Sequence, residues 1–188
     1  MNKYRNKFRV LSARAQWWNY GNDGAYFITV CTAKRKCLFG FIDNKKMILS
    51  PLGQIVQQEW DRSFEIRTEL FCEEFILMPN HLHAILRIDK QGENNPPVET
   101  HGSASLPNDH ISRQHGIAYR EKKSISSFIA GFKSKATSRI NNYRNKPGLS
   151  VWQPRFHDHI IRNDIEYQFI ARYIRNNPAN WDEDTLRK

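Results

Sequence analysis

Hydrophobic residues recur along this chain with two periods, and the switching between them predicts its elements in order. Residues 26–32, Tyr-Phe-Ile-Thr-Val-Cys-Thr, are a dense aromatic and β-branched run after the turn former Gly24, which predicts a largely buried first strand. Ser50 then offers a capping hydroxyl ahead of Pro51, and Leu52, Ile55, Val56, Glu59 and Trp60 follow at helical spacing. Residues 71–78 and 81–89 read as strands broken by Pro79-Asn80, a turn short enough to make them an antiparallel hairpin. A second helix starts at Ser124 with Ile125, Phe128, Ile129, Phe132, Ala136, Ile140 and Tyr143 on one stripe, and Lys146-Pro147-Gly148 ends it. Arg139 falls inside that stripe, so its stem is expected to lie along the core while its charge escapes to the surface. Residues 156–162 read as a short strand. Asn163 or Asp164 then caps a last helix that runs to about Asn176 and stops at Pro178. The order strand, helix, strand, strand, helix, strand, helix, with no internal repeat, predicts an α+β domain: an antiparallel sheet with helices on one face.

Two stretches fall outside this pattern. Residues 1–20 are basic and aromatic, with Arg5, Lys7, Arg9, Arg14, Trp17 and Trp18, and show no clean period. They read either as an arm that lies on nucleic acid or, through the tryptophans, as a cap on the core. Residues 90–123 shift to Gly, Pro, Asn, Ser and His, which predicts a long flexible loop within a single domain spanning 21–188. Its irregularly spaced His101, His110 and His115 read as exposed loop residues rather than ligands.

Composition narrows the partners. With 188 residues, 39% of them hydrophobic, the chain can bury a real core, and its formal net charge of +10 favours polyanions. Cys31, Cys37 and Cys72 form no close metal-binding pair and cannot all be bonded within the chain, which fits a reducing cytoplasm. The basic start lacks a following apolar run of signal-peptide length, and no stretch is long enough to span a bilayer. A cytoplasmic location with the nucleoid, and no membrane partner, is the expectation.

The chemistry is concentrated in two places. On a strand, alternate side chains share a face, so His81, His83, Ile85 and Arg87 point one way and Leu82, Ala84, Leu86 and Ile88 the other. If the second set packs on the core, two imidazoles face the opposite surface, close enough to chelate one divalent ion. On the last helix Tyr173 and Asn177 are about 40° apart and can face one site, as a nucleophile and an amide ligand. Each part alone has a plainer reading, as hydrogen-bonded histidines and a half-buried packing tyrosine. Imidazole nitrogen with amide oxygen suits Mg2+ or Mn2+ better than structural zinc, for want of a nearby thiolate. Rivals exist for both roles: His157-Asp158-His159 is a second His-x-His, and Tyr143 and Tyr167 are other phenols.

Taken together, these residues resemble a known family. Phe75-Ile76-Leu77-Met78-Pro79-Asn80-His81-Leu82-His83 is similar to the HUH motif of the single-tyrosine transposases, and Phe128 to Ile140, with Phe132-Lys133, resembles the basic helix that follows it. Trp152-Gln153-Pro154-Arg155-Phe156, Asp158-His159-Ile160-Ile161-Arg162-Asn163 and Tyr173-Ile174-Arg175-Asn176-Asn177-Pro178 look most like the REP-associated tyrosine transposases. The resemblance implies a ferredoxin-like HUH nuclease fold with a catalytic C-terminal helix, acting on single-stranded DNA beside a hairpin. It implies His81 and His83 as metal ligands, Asn177 as the third ligand, and Tyr173 as the nucleophile that forms a 5′-phosphotyrosine and leaves a 3′-hydroxyl. Related mobile transposases commonly carry glutamine where this chain has Asn177. DNA contacts are expected from Lys133, Lys135, Arg155, Arg162, Arg172 and Arg175, through phosphates and stacking on unpaired bases. The protein is expected to act as a monomer or homodimer, and the alternative is a catalytically silent nucleic-acid-binding module of the same fold.

Overall fold

The computed structural model describes residues 22–90 and 123–187, together with the backbone pairing of β1 (Lys3–Tyr4) with β2 (Lys7–Phe8). The arm at 1–20, apart from that pairing, and nearly all of the loop at 90–123 lie outside the described residues.

β3 (Gly24–Cys31) runs through the middle of a four-stranded antiparallel sheet. Its neighbours are β7 (His81–Ile88) and β8 (His157–Ile161), and β6 (Leu70–Leu77) pairs with the far side of β7. β6 and β7 form the expected hairpin, with Leu77 opposite Leu82. One residue is inserted in β6 between Cys72 and Glu74, which face Leu86 and Ile85 in succession.

Three helices pack on this sheet, and each starts where the caps predict. Ser50 Oγ accepts from Gly53 N at 3.1 Å to open α1 (Pro51–Glu65). Ser124 and Ser127 exchange hydrogen bonds in a capping box to open α2 (Ile125–Tyr143). Asn163 accepts from Glu166 N at 2.9 Å to open α3 (Asp164–Asn176). These bonds satisfy amides that the first helical turn otherwise leaves without partners.

α1 and α2 cover one face. Their inward residues, Val56, Trp60, Ile125, Phe128, Ile129, Phe132 and Ala136, meet Tyr26, Ile28, Val30, Leu82, Ala84 and Leu86 from the sheet. Trp60 is the hub, stacked on Phe75 at 4.6 Å between centroids and set edge-on to Phe128 and Phe132. α3 lies on the other face, where Ile170, Ala171 and Ile174 pack on Ile85, Phe27 and Ile76. The sheet is thus covered on both sides, two helices against one.

Three features go beyond the sequence reading. The helices do not all lie on one face, because α3 carries its own apolar stripe and packs it on the side opposite α1 and α2. Arg139 keeps its side chain 34% exposed, but its charge is paired there: the guanidinium donates to Glu59 Oε1 at 2.6 Å and Gln58 Oε1 at 2.8 Å, tying α2 to α1. A small hairpin of β4 (Gly40–Asp43) and β5 (Lys46–Leu49) was not foreseen. Its turn places Asn44 and Lys45 at φ of 46° and 62°, the left-handed pair that matches strand twist in a two-residue loop. Gly40 is required there, because a Cβ would lie 1.9 Å from the Ile48 carbonyl oxygen.

Candidate active site

The register of the sheet sets out the site row by row. Thr29 on β3 is opposite His83 on β7 and His157 on β8, and Cys31 is opposite His81. His81, His83 and Ile85 share the face covered by α3, as the alternation predicts. They do not reach an open surface, however. His81 is 0% and His83 2% exposed, because α3 and the segment after it close over them. Trp181 belongs to that cover, its ring 6.1 Å from the His81 ring.

The two imidazoles are 4.5 Å apart between centroids, and the hydrogen bonds around His81 fix which of its nitrogens carries the proton. Asn80 Nδ2 donates to the carbonyls of Arg35 at 3.1 Å and Leu186 at 2.6 Å, so its Oδ1 must be the atom 2.8 Å from His81 Nδ1. His81 Nδ1 is therefore the donor, and Nε2 keeps a lone pair. His83 Nδ1 lies 2.8 Å from Thr29 Oγ1, and the ring also has a bond to the Ile28 backbone. Both Nε2 atoms face the space under α3. Burial pushes the His81 pKa down to about 4, with a smaller push from Arg35 against a pull upward from Asn177. Burial and the neighbouring His81 push His83 to about 3. At neutral pH both rings are uncharged, the form that binds metal ions.

α3 brings Tyr173 and Asn177 to these rings. Tyr173 Oη is 3.2 Å from His83 Nε2, within hydrogen-bond reach. Its ring is edge-on to His83 and to Phe27, which in turn stacks on His83. Burial and the Asp184 carboxylate raise the Tyr173 pKa, and the Asn177 amide pulls it back. Asn177 stays helical (φ −57°, ψ −42°) although Pro178 follows, against the usual bias before proline. It is 3% exposed, and its Oδ1 has no hydrogen-bond partner.

Three buried acceptor atoms lack a donor here: His81 Nε2, Asn177 Oδ1 and Asp184 Oδ2. Buried polar atoms are nearly always paired, so such a group marks a place for something that accepts lone pairs. Among the described residues no three His, Cys, Asp or Glu side chains alone are arranged to hold a metal ion, so a cation would need the Asn177 amide oxygen.

None of the rivals takes the place of His81, His83 or Tyr173, although His157 shares the Thr29 row with His83. Tyr143 is exposed at the end of α2, and Tyr167 packs beside the α3 contacts with Glu73 as its neighbour. His159 Nε2 is 2.6 Å from Glu166 Oε1, one turn into α3, while His157 is exposed at the sheet edge. Of the basic residues, Lys135, Arg155, Arg162 and Arg172 are exposed. Lys133 instead donates to the carbonyls of Gln153 at 2.5 Å and Pro154 at 3.3 Å, and Arg175 forms a two-point ion pair with Glu74. Thr29, Asn80, Trp181 and Asp184 were missed in the sequence; Asn80, next to His81, carried the only local signal.

No family model matches the chain. The REP-associated tyrosine transposase bound to a REP hairpin superposes with a TM-score of 0.57 at 20% identity, over 91% of this chain and 74% of that one. The fold is that of a tyrosine transposase. A protein of Haemophilus influenzae, described only as uncharacterized, is 37% identical over 177 residues, covering 93% of this chain and 91% of its own length. The chain belongs to one family with it.

Proposed function

We propose that this protein is a transposase-type endonuclease that cuts and rejoins single-stranded DNA near a hairpin, with Tyr173 as nucleophile and a divalent cation, Mg2+ or Mn2+, as helper. The observation that carries this reading is the meeting, inside one chain, of the Tyr173 hydroxyl with an imidazole whose neighbour and covering amide carry unused buried lone pairs. The residues fit a cation. His81 and His83 are neutral, their Nδ1 atoms are held by Asn80 and Thr29, and Asn177 adds an oxygen donor. When bound there, the cation offsets the charge on the phosphoryl oxygens of DNA.

The chain's own groups account for the rest. His83 Nε2 cannot serve two partners, so Tyr173 gives up its hydrogen bond before it attacks. The bond from Tyr173 Oη to phosphorus forms as the bond from phosphorus to the 3′ oxygen breaks. The proton lost by the phenol is matched by the one taken up at the 3′ oxygen, directly or through solvent, so the departing strand ends in a 3′-hydroxyl. Because the tyrosine ester keeps a phosphodiester bond, a second 3′-hydroxyl can reverse the step without ATP. Exposed Lys135, Arg155, Arg162 and Arg172 supply phosphate contacts, whereas Lys133 and Arg175 act by holding the loop at 153–154 and α3 in place. The nucleophile and the imidazoles belong to the same subunit, which supports action as a monomer.

The test is incubation with labelled hairpin-bearing single-stranded DNA and Mn2+, followed by denaturing electrophoresis. A covalent protein–DNA adduct that Tyr173→Phe lacks supports the proposal. Cleavage without an adduct points to a hydrolase with a water nucleophile, and binding without cleavage points to the silent module.

A further inference from the structure

We infer that Asp184 is an additional donor to the divalent cation, delivered from the segment that follows the nucleophile helix; this rests on the reading of His81, His83 and Asn177 as the cation site. The Asp184 side chain is 4% exposed, and its two oxygens have different fates. Oδ1 accepts from Leu186 N at 2.7 Å, a local turn contact. Oδ2 is turned inward and lies 3.6 Å from His81 Nε2, beyond hydrogen-bond reach, with no donor of its own.

Asn80 holds the His81 proton on Nδ1, so Nε2, itself without a hydrogen-bond partner, turns a lone pair toward a carboxylate oxygen. Asn177 Oδ1 is a third acceptor in the same buried group. Three acceptors, one of them anionic, gathered without a donor repel one another; a cation between them turns each repulsion into an attraction. A carboxylate also suits the hard ions Mg2+ and Mn2+.

The position of Asp184 is built in. Asn80, the residue that orients His81, also holds the Leu186 carbonyl, and Arg35 Nη1 donates to the Thr185 carbonyl at 3.1 Å. One amide thus sets both an imidazole and the peptide beside the carboxylate. His83 Nε2 is engaged by Tyr173, so His81, Asn177 and Asp184 are the donors ready for a cation, and His83 joins when the phenol lets go.

The experiment is calorimetric titration of the full-length protein with MnCl2, read in parallel by Trp181 fluorescence, since that indole lies against His81 and Mn2+ is paramagnetic. The parent is compared with Asp184→Asn, Asp184→Glu and His81→Ala. Asp184→Asn keeps the shape and the Leu186 contact; it is expected to weaken Mn2+ binding by about tenfold or more. In chelator its melting temperature should match or exceed that of the parent, because a buried uncompensated charge has gone. Asp184→Glu should recover part of the affinity. If Asp184→Asn binds Mn2+ like the parent while His81→Ala does not, Asp184 is no ligand and the imidazole site stands. If the parent fails to bind, or His81→Ala binds equally well, the cation reading falls and this inference with it.

Discussion

Trp60 and His83 are both almost wholly buried, against opposite faces of the same sheet, and they are buried by different means. Trp60 is surrounded by Phe64, Phe75, Phe128 and Phe132, so ring contacts satisfy all of it but the indole nitrogen, which is buried without an acceptor. His83 is covered by Phe27 and Tyr173 but depends on Thr29 and the phenol for its polar atoms, and next to it His81, Asn177 and Asp184 keep unmet acceptors. The first face is optimised for stability. The second gathers three buried acceptors without partners, so the two faces should respond differently to the same kind of change.

The sharpest way to separate them is His81→Ala. Nicking of hairpin DNA should fall to background, while DNA affinity in a filter-binding assay stays near the parent value because Lys135, Arg155, Arg162 and Arg172 are untouched. Equal nicking by the variant and the parent would remove His81 from the site. On the other face, Trp60→Ala should cost about 3–5 kcal/mol in denaturant unfolding, the usual price of an emptied aromatic core position. A loss much below that would mean the hub can collapse around the gap.

A milder probe is Thr29→Val, which removes the hydroxyl beside His83 Nδ1 without changing shape much. It should lower Mn2+ affinity by roughly 10–100-fold, the range for orienting partners of ligating histidines. Unchanged affinity would show that the Ile28 carbonyl alone fixes the ring.

The smallest expected effect is acid sensitivity in the presence of chelator. Both imidazoles have folded pKa values below the ordinary 6.5, so the unfolded chain binds more protons as pH falls. Stability is therefore full above about pH 6.5 and declines on acidification toward about 4 for His81 and about 3 for His83, by on the order of 2 kcal/mol per histidine at pH 5. Replacing both with glutamine should flatten that slope, whereas Trp60→Ala should shift the curve without changing its shape.

What could be read from the chain follows the same division. The Trp60 face was legible because its residues repeat every three or four positions on helices and every second one on strands. The meeting of His81, His83, Tyr173 and Asn177 was legible in outline for a similar reason: the two histidines share a strand face, and the tyrosine and asparagine share a helix face. What supports them was not, because Thr29, Asn80, Trp181 and Asp184 reach the imidazoles from separate segments and no local period reports that. The β4–β5 hairpin escaped notice since its turn is Asn44-Lys45 rather than a glycine pair. The partner of Arg139 was not legible because periodicity places a residue on a stripe but says nothing of Glu59 waiting across from it.

The single inserted residue in β6 has a consequence for the whole arrangement. Before it Leu70 and Cys72 share a face of the sheet, and after it Phe75 and Leu77 continue that same face although their numbering parity has changed. The insertion works as a phase shifter, letting one strand keep its greasy side on Trp60 while Ile76 comes up beside His83. Deleting Glu73 would cancel the shift and turn one half of the strand inside out, so this exposed edge should tolerate substitutions but not a change in length.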